Sequence, residues 1–345
     1  MVLNMIDTIN CNIDKIALHK VGNKLENENV HFSRSLLFIE DTITRILLLN
    51  FFTIPFKSSE YFNFYHNIDI NMNEVFVCVS KIFDNPNILL EQSVNLAKHL
   101  YEQSTHPKIK GGEFYTVYFK DCIIDGETVD AVGLFKSENK DTFLKIFPKG
   151  DGFEIESEKG ININKLDKGC LIFNTERESG YIVAVVDNTN KGVEAQYWID
   201  DFLHVRQRKD EYYNTQNIVS LTKNFVQNSN LSKADQSDLL NKAVTFLKEK
   251  DNFDIAEFAH EVIGQPEVIE KFNQYKSAYA KEYEIEIADS FTISDSAVKK
   301  QARVLKNVIK LDKNFDIHIH GNRDLIEQGK DARGKFYKIY YKEEA

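Results

Sequence analysis

The residues best suited by type and spacing to do chemistry lie near the end of the chain. In Asp316-Ile-His-Ile-His320 an extended backbone puts Asp316, His318 and His320 on one face, where a carboxylate and two imidazoles could chelate a transition metal. No further ligand cluster lies near them, and Phe315, Ile317 and Ile319 alternate with them as buried strand residues would. The expected reading is a solvent-facing strand face with no bound metal. Glu284 and Glu286, in Tyr283-Glu-Ile-Glu-Ile-Ala-Asp289, read in the same way as the solvated face of a short strand. The chain carries no GxxxxGK loop closed by Ser or Thr, no GxGxxG after a strand, no HExxH and no GxSxG. Neither an enzyme nor a cofactor is expected.

Charge is more informative. Between Asp295 and Lys342 stand twelve basic residues against six acidic ones, which leaves 31 basic and 47 acidic residues elsewhere in a chain of net charge −10. Such asymmetry points to an anionic partner. Lys299, Arg303 and Lys306 recur at i, i+4, i+7 and so line one helical face. Lys310 follows in a strand, and the final strand interleaves Lys335, Lys338 and Lys342 with Phe336, Tyr337, Tyr340 and Tyr341. Ammonium groups for phosphates and aromatic faces for stacking are what nucleic-acid contact needs. The competing reading is ordinary: a basic helix face is solvated, and strand aromatics belong to a core.

The elements that position these residues are legible from periodicity. Ile13–His19 alternates as a strand, with Ile13, Ile16 and Leu18 as its buried members. Ile39, Ile43, Ile46 and Leu47 have helical spacing, with Asp41 and Thr42 at the start of the helix. Residues 51–72 carry no clear pattern. Val75–Phe83 reads as helix, and a longer helix from Asn85-Pro-Asn87 to about Thr105 carries the stripe Leu90, Val94, Ala97 and Tyr101. From Phe114 to Leu203 short β-rich runs separated by Gly, Asp, Asn and Ser read as one antiparallel meander. Its runs Gly169–Phe173 and Tyr181–Val186 are apolar on both faces, as central strands covered by helices would be. Beyond the charged hinge Arg206–Glu211 the pattern turns helical: Ile218, Leu221 and Phe225; Ser232 capping a helix that buries Leu239, Ala243, Phe246 and Leu247; Asp254 with Glu257; and Pro266 opening a helix with Val268, Phe272, Tyr275 and Tyr279. Tyr283–Ile287 reads as a short strand, Ser294 or Asp295 caps a helix to about Lys306, and Val308–Leu311, Phe315–His320 and Lys335–Tyr341 close the chain as strands.

The fold class that follows is α+β: N-terminal helices on an antiparallel β meander, then a mostly helical C-terminal part ending in short strands. Two domains are expected, 1–205 with the sheet and 206–345 with the basic helix and strands; 345 residues are too many for one small core. Cys11, Cys78, Cys122 and Cys170 are isolated and read as reduced core residues of a cytosolic protein. The start Met1-Val-Leu-Asn-Met-Ile-Asp-Thr lacks the basic stretch of a signal peptide, and Ile46–Phe52 is far too short to span a bilayer. No membrane association is expected.

Several stretches, in order, resemble nucleoid-associated proteins of the NdpA/YejK type. Ile13-Asp-Lys-Ile-Ala-Leu-His-Lys20 is similar to the opening of that family, as is Tyr181–Val186 followed by Tyr197-Trp-Ile-Asp-Asp-Phe-Leu203. Asn224-Phe-Val, the Leu-Ser-Lys-Ala-Asp helix from Leu231, Phe291-Thr-Ile-Ser-Asp295 and Leu311-Asp-Lys-Asn-Phe-Asp-Ile-His-Ile-His-Gly321 continue the resemblance. It implies a cytoplasmic bacterial protein that associates with the nucleoid and binds double-stranded DNA, and it brings no catalytic motif. Two functions stay in play. One is a non-enzymatic protein contacting the phosphate backbone with little sequence preference through Lys299, Arg303, Lys306, Lys310, Lys335, Lys338 and Lys342. The other is an adaptor brought to the nucleoid by a protein partner. A homodimer is compatible with either.

Overall fold

A computed structural model describes residues 11–189, 197–229, 231, 233–302, 308–311, 315–318, 325–341 and 343. The chain divides into two compact units, Met1–Arg208 and Lys209–Ala345. The first contains β1 (Asn12–Val21), α1 (Thr42–Thr53), β2 (Tyr61–Phe64), α2 (Glu74–Asp84), α3 (Leu89–Gln103), β3 (Gly112–Ile124), β4 (Glu127–Ser137), β5 (Asp141–Lys149), β6 (Gly152–Gly160), β7 (Lys168–Phe173), β8 (Ile182–Asp187) and β9 (Val205–Gln207). Seven of these strands make one antiparallel sheet in the order β1-β3-β4-β7-β8-β2-β9. The α+β architecture expected from the pattern is present, and β7, buried along its whole length, lies at the centre of the sheet.

Both faces of the sheet are covered. On one, α2, α3 and a π-helical turn at Tyr197–Leu203 bring Val79, Leu96, Leu100, Trp198 and Phe202 against Phe114, Val132 and Leu134. On the other, the C-terminal half of α1 brings Phe51 and Phe52 against Tyr115, Val117, Phe119, Phe135 and Phe173. Leu134 and Phe135 are neighbours in β4 and face opposite layers, as the pleat requires. The side-chain oxygens of Asp41 and Asn73 cap α1 and α2, each accepting from backbone N–H groups of the first turn.

The first strand shows how sequence becomes layer. Ile13 and Ile16 are three apart, an odd spacing for one face of a strand. A register shift between Ile13 and Lys15 in the pairing with β3 turns both toward α1, with Leu18 half-buried beside them. Ala17 and Val21 then face the α2–α3 layer, and His19 is buried as well. The Nδ1 of His19 accepts from the backbone N–H of Ser33 at 3.1 Å, and its Nε2 lies 2.8 Å from Ser93 Oγ. The Ser93 hydroxyl is itself committed to donating to the Leu90 carbonyl. The ring is therefore the neutral tautomer with Nε2 as donor, assigned from the network.

Burial, then the neighbouring His31, lowers the His19 pKa from 6.5 to about 4. A folded pKa below the unfolded one means that the unfolded chain binds the proton first. The stability this neutral ring contributes is full above about pH 6.5 and is lost as pH falls toward 4, about 3 kcal/mol across the window. Urea unfolding between pH 7 and 4 should show that loss in the wild type, and a distinctly flatter pH dependence in His19→Asn.

The structure departs from the sequence reading at five places in this unit. The meander expected from Phe114 to Leu203 is not one sheet: β5 pairs only with β6, in a separate two-stranded hairpin. Residues 51–72 contain β2, which inserts between β8 and β9; four residues with two aromatics are too short to show a period. The α1 helix forms as expected, yet Ile43, Ile46 and Leu47 are exposed while Phe51 and Phe52 are buried. The buried face of α3 is Leu89, Ser93, Leu96, Ala97 and Leu100, which keeps Ala97 of the expected stripe and leaves Leu90, Val94 and Tyr101 half-buried, because the hydrogen bonds of Ser93 let a serine occupy a core position. The closing run with Trp198 is a π-helical turn rather than a strand. Gly180, at φ +93°, brings its own backbone against β2, and a Cβ there would stand 2.2 Å from the Phe64 carbonyl oxygen.

The second unit has α4 (Glu211–Asn228), α5 (Lys233–Glu249), β10 (Asn252–Asp254), α6 (Ile255–Phe258), α7 (Pro266–Glu282), β11 (Ser290–Thr292), α8 (Asp295–Ala302), β12 (Val308–Leu311), β13 (Phe315–His318), β14 (Ile326–Asp331) and β15 (Gly334–Ile339). Its core gathers Ile218, Leu221, Phe225, Phe246, Phe258 and Phe272, most of them on the helical stripes expected. Asp254 caps α6, accepting from the N–H groups of Ala256 and Glu257, as its spacing to Glu257 suggests. Ser232, the other expected cap, lies outside the described residues. Tyr283–Ile287 is not a strand: Glu284 takes φ +53° in a turn, and the strand forms later, where β11 pairs with β10. Among the described residues no helix is long and apolar enough to cross a membrane.

Candidate nucleic-acid interface

The basic residues reach the surface of the second unit through two small elements. The first is α8. Buried Ser294 donates its backbone N–H to Thr215 Oγ1 at 3.0 Å, and its hydroxyl oxygen accepts from the Ala297 N–H at 3.4 Å. Those bonds anchor the helix start against α4. Ala297 and Val298 are buried, so Lys299 and Lys300, one step further round the helix, are exposed. The Lys300 ammonium stands 5.4 Å above the Tyr212 ring. Arg303 and Lys306, the rest of the expected stripe, lie outside the described residues, as does Lys342. Lys310 is in β12, and the register sets it opposite Asp316 of β13. Of the metal-ligand run, His318 pairs across from Val308 and His320 lies outside the described residues.

The second element is the hairpin β14–β15, whose strand β14 the sequence reading did not foresee: Ile-Glu-Gln-Gly-Lys-Asp has little β propensity of its own. Its turn is held by the Arg333 N–H donating to Asp331 Oδ1 at 2.8 Å, with Gly334 at φ +132°. The register decides which cations act together. Lys335 is directly opposite Lys330, and Lys338 is directly opposite Glu327. Because strand residues alternate, Lys335 and Lys338 point from opposite faces. Lys338 lies 3.7 Å from Glu327 and 4.7 Å from the centre of the Tyr340 ring; Tyr340 first and Glu327 second hold its ammonium pKa above the ordinary lysine value. Its charge is thus partly answered within the hairpin.

Lys330 and Lys335 are different. Both are exposed, and among the described residues neither has an ion-pair partner. Like charges set directly across a hairpin repel, so an anion between them would relieve a cost the fold otherwise carries. Arg333 is exposed in the adjoining turn, and Phe336 and Tyr340 add exposed aromatic surface. The structure therefore assembles Lys330, Arg333 and Lys335 as one basic tip, of which the sequence reading had chosen only Lys335 for the interface. Period-two alternation on both sides of the Asp331–Gly334 turn is the signal that would have found Lys330.

A second charged cluster was missed altogether. In the first unit Lys136 and Lys168 are fully buried at the ends of β4 and β7. Lys136 Nζ donates to the Lys110 carbonyl at 2.8 Å and to Tyr197 Oη at 3.3 Å, and lies 3.0 Å from Glu138. Lys168 Nζ donates to both oxygens of Asp187 and to Thr189 Oγ1. The Tyr197 hydroxyl donates to Glu138, and burial, followed by that carboxylate, pushes its pKa well above the usual value. Burial lowers that of Lys136. Beside the cluster is a polar cavity of about 770 Å³ lined by Lys108, Lys140, Asn162, Lys165 and Asp167, among others. Both ammonium groups find their acceptors inside the protein, so the arrangement is that of a structural ion network holding the π-helical turn to the sheet. Among the described residues no group of three His, Cys, Asp or Glu side chains is placed to hold a metal ion.

Compared with known proteins, the chain matches one protein family, described as nucleoid-associated protein YejK, over residues 17–336. No curated protein matched.

Proposed function

The chain belongs to the nucleoid-associated protein family of the YejK type, and from that premise we propose that it is a non-enzymatic nucleoid protein that contacts the phosphate backbone of double-stranded DNA. The contact surface in this reading is the basic C-terminal part: Lys299, Arg303, Lys306, Lys310, Lys335 and Lys342 of the sequence pattern, Lys338 at its margin, and Lys330 with Arg333 added by the hairpin register. The observation that carries it is the exposed Lys330–Lys335 pair, within the only strongly basic stretch of an acidic chain. Long-range repulsion between a −10 chain and DNA is screened beyond about 8 Å in physiological salt, so the local patch decides contact. Lysines present point charges rather than the bidentate forks that read bases, so sequence preference is weak.

The test is a DNA-binding isotherm at several salt concentrations for the wild type and for Lys299→Glu/Lys330→Glu/Lys335→Glu. Each phosphate neutralised contributes about 0.9 to the slope of log K against log salt, so the variant should lose two to three from that slope and about tenfold or more in affinity. A folded variant that binds as the wild type does would make the patch a solvated face. The adaptor reading, in which a protein partner brings the chain to the nucleoid, would then take its place.

A further inference from the structure

The hairpin β5–β6 is amphipathic in a way its surroundings do not answer. The register puts Phe143, Lys145, Phe147 and Lys149 on one face with Glu154, Glu156 and Glu158, where Lys145–Glu158 and Lys149–Glu154 form ion pairs at 2.7 and 2.5 Å. The opposite face carries Leu144, Ile146, Pro148, Phe153 and Ile155. Its four large side chains Leu144, Ile146, Phe153 and Ile155 are between 62% and 76% exposed. A two-stranded hairpin is marginal in water unless its apolar face packs on a helix or on further strands.

The same unit displays a helix in the matching condition. On α1, Ile43, Ile46, Leu47 and the capping residue Ile54 fall on one stripe at i, i+3, i+4 and i+11, and are between 39% and 68% exposed. The only polar member of the stripe is Asn50, and it is uncharged. In length the two surfaces correspond. Leu144 to Pro148 spans about 14 Å of strand, and Ile43 to Ile54 about 16 Å of helix.

We propose that hairpin β5–β6 of one copy packs its apolar face on the α1 stripe of a second copy, and reciprocally, making a two-fold dimer by exchange of arms. Three observations select a second copy as the occupant. The chain itself supplies both surfaces, and an isologous contact covers each of them twice. Eight side chains at roughly 100 Å² each, four on each of the two surfaces, offer on the order of 800 Å² per copy, what one partner gives to a standard interface. Finally, neither apolar face carries a charge over the spans compared, so two acidic molecules can meet there without like charges in contact.

The experiment uses the full chain in sedimentation or light scattering over a range of concentrations. The wild type is expected at twice its 40.0 kDa mass. Ile146→Lys/Ile155→Lys changes the arm and Ile43→Glu/Ile46→Glu the helix, all at exposed positions, with circular dichroism to verify folding. Each variant alone should dimerise at least about a hundredfold more weakly, since it places uncompensated charge in an apolar contact. Mixing the two should restore the dimer, because one contact is then wild type on both sides and the other pairs lysines with glutamates. As an independent readout, Ile46→Cys/Ile155→Cys should form a disulfide between copies, the four native cysteines being buried. A wild type that stays monomeric would overturn the proposal and assign the arm to a different protein. Variants that dimerise as the wild type does, or a mixture that stays dissociated, would overturn it equally, the latter by indicating arm-to-arm or helix-to-helix contact.

Discussion

Phe52→Ala is expected to destabilise the first unit by about 3–5 kcal/mol, the usual cost of truncating a fully buried phenylalanine. Its ring stacks on Phe135 at 4.4 Å with 19° between planes, and meets Tyr115 edge-on at 5.3 Å and Phe119 at 6.4 Å. With Phe51 it is what attaches α1 to the sheet, because the helix before these two residues is half-buried or exposed. The loss therefore falls on the docking of an entire helix as well as on one cavity. Ile43→Ala, measured at protein concentrations too low for association, should stay within about 0.5 kcal/mol of the wild type. Urea unfolding of the two variants checks both values. An amphipathic reading of α1 from Ile43, Ile46 and Leu47 alone ranks them the other way, so the pair of measurements separates the sequence pattern from the packing.

Lys168→Met should cost a similar amount, about 3–5 kcal/mol, through electrostatics rather than volume. The lysine is fully buried, its ammonium donates to Asp187 Oδ1 and Oδ2 at 2.8 and 2.7 Å, and it lies 5.1 Å from the centre of the Tyr197 ring. Methionine fills most of the same space but removes the charge that neutralises an almost buried carboxylate. The double variant Lys168→Met/Asp187→Leu removes both charges and should recover much of the loss, since a buried ion pair is worth little against apolar residues of similar volume. Equilibrium unfolding of the two single variants and the double one completes the cycle. If Lys168→Met unfolds at the wild-type midpoint, the network contributes no stability.

Much of the fold was legible, for reasons particular residues make plain. Asp41 and Asp254 announce helix starts because a short polar side chain satisfies the free N–H groups of a first turn, a matter of three or four consecutive residues. Gly169–Phe173 announces a central strand because a run with no polar face must be covered twice. What misled was always non-local. β2 has no readable period, and it is a strand because β8 and β9 accept it. Ser93 enters the core because His19, 74 residues away, meets its hydroxyl. Lys136 and Lys168 look like surface lysines at strand ends until Glu138, Tyr197 and Asp187 are brought to them.

The candidate interface divides in the same way. The sequence alone determined that positive charge gathers in the last fifty or so residues, that Lys299, Arg303 and Lys306 recur at helical spacing, and that the chain matches a nucleoid-associated family; these rest on composition, local period and the order of motifs. Only the tertiary structure decided that Lys335 acts with Lys330 and not with Lys338, because a hairpin's register, set by its turn, chooses cross-strand neighbours that no single strand reveals. It also decided that the apolar stripe of α1 faces out. Periodicity states that a helix has an apolar side, but which side is covered depends on what the rest of the chain brings to it, and here Phe51 and Phe52 found the sheet while Ile43, Ile46 and Leu47 did not.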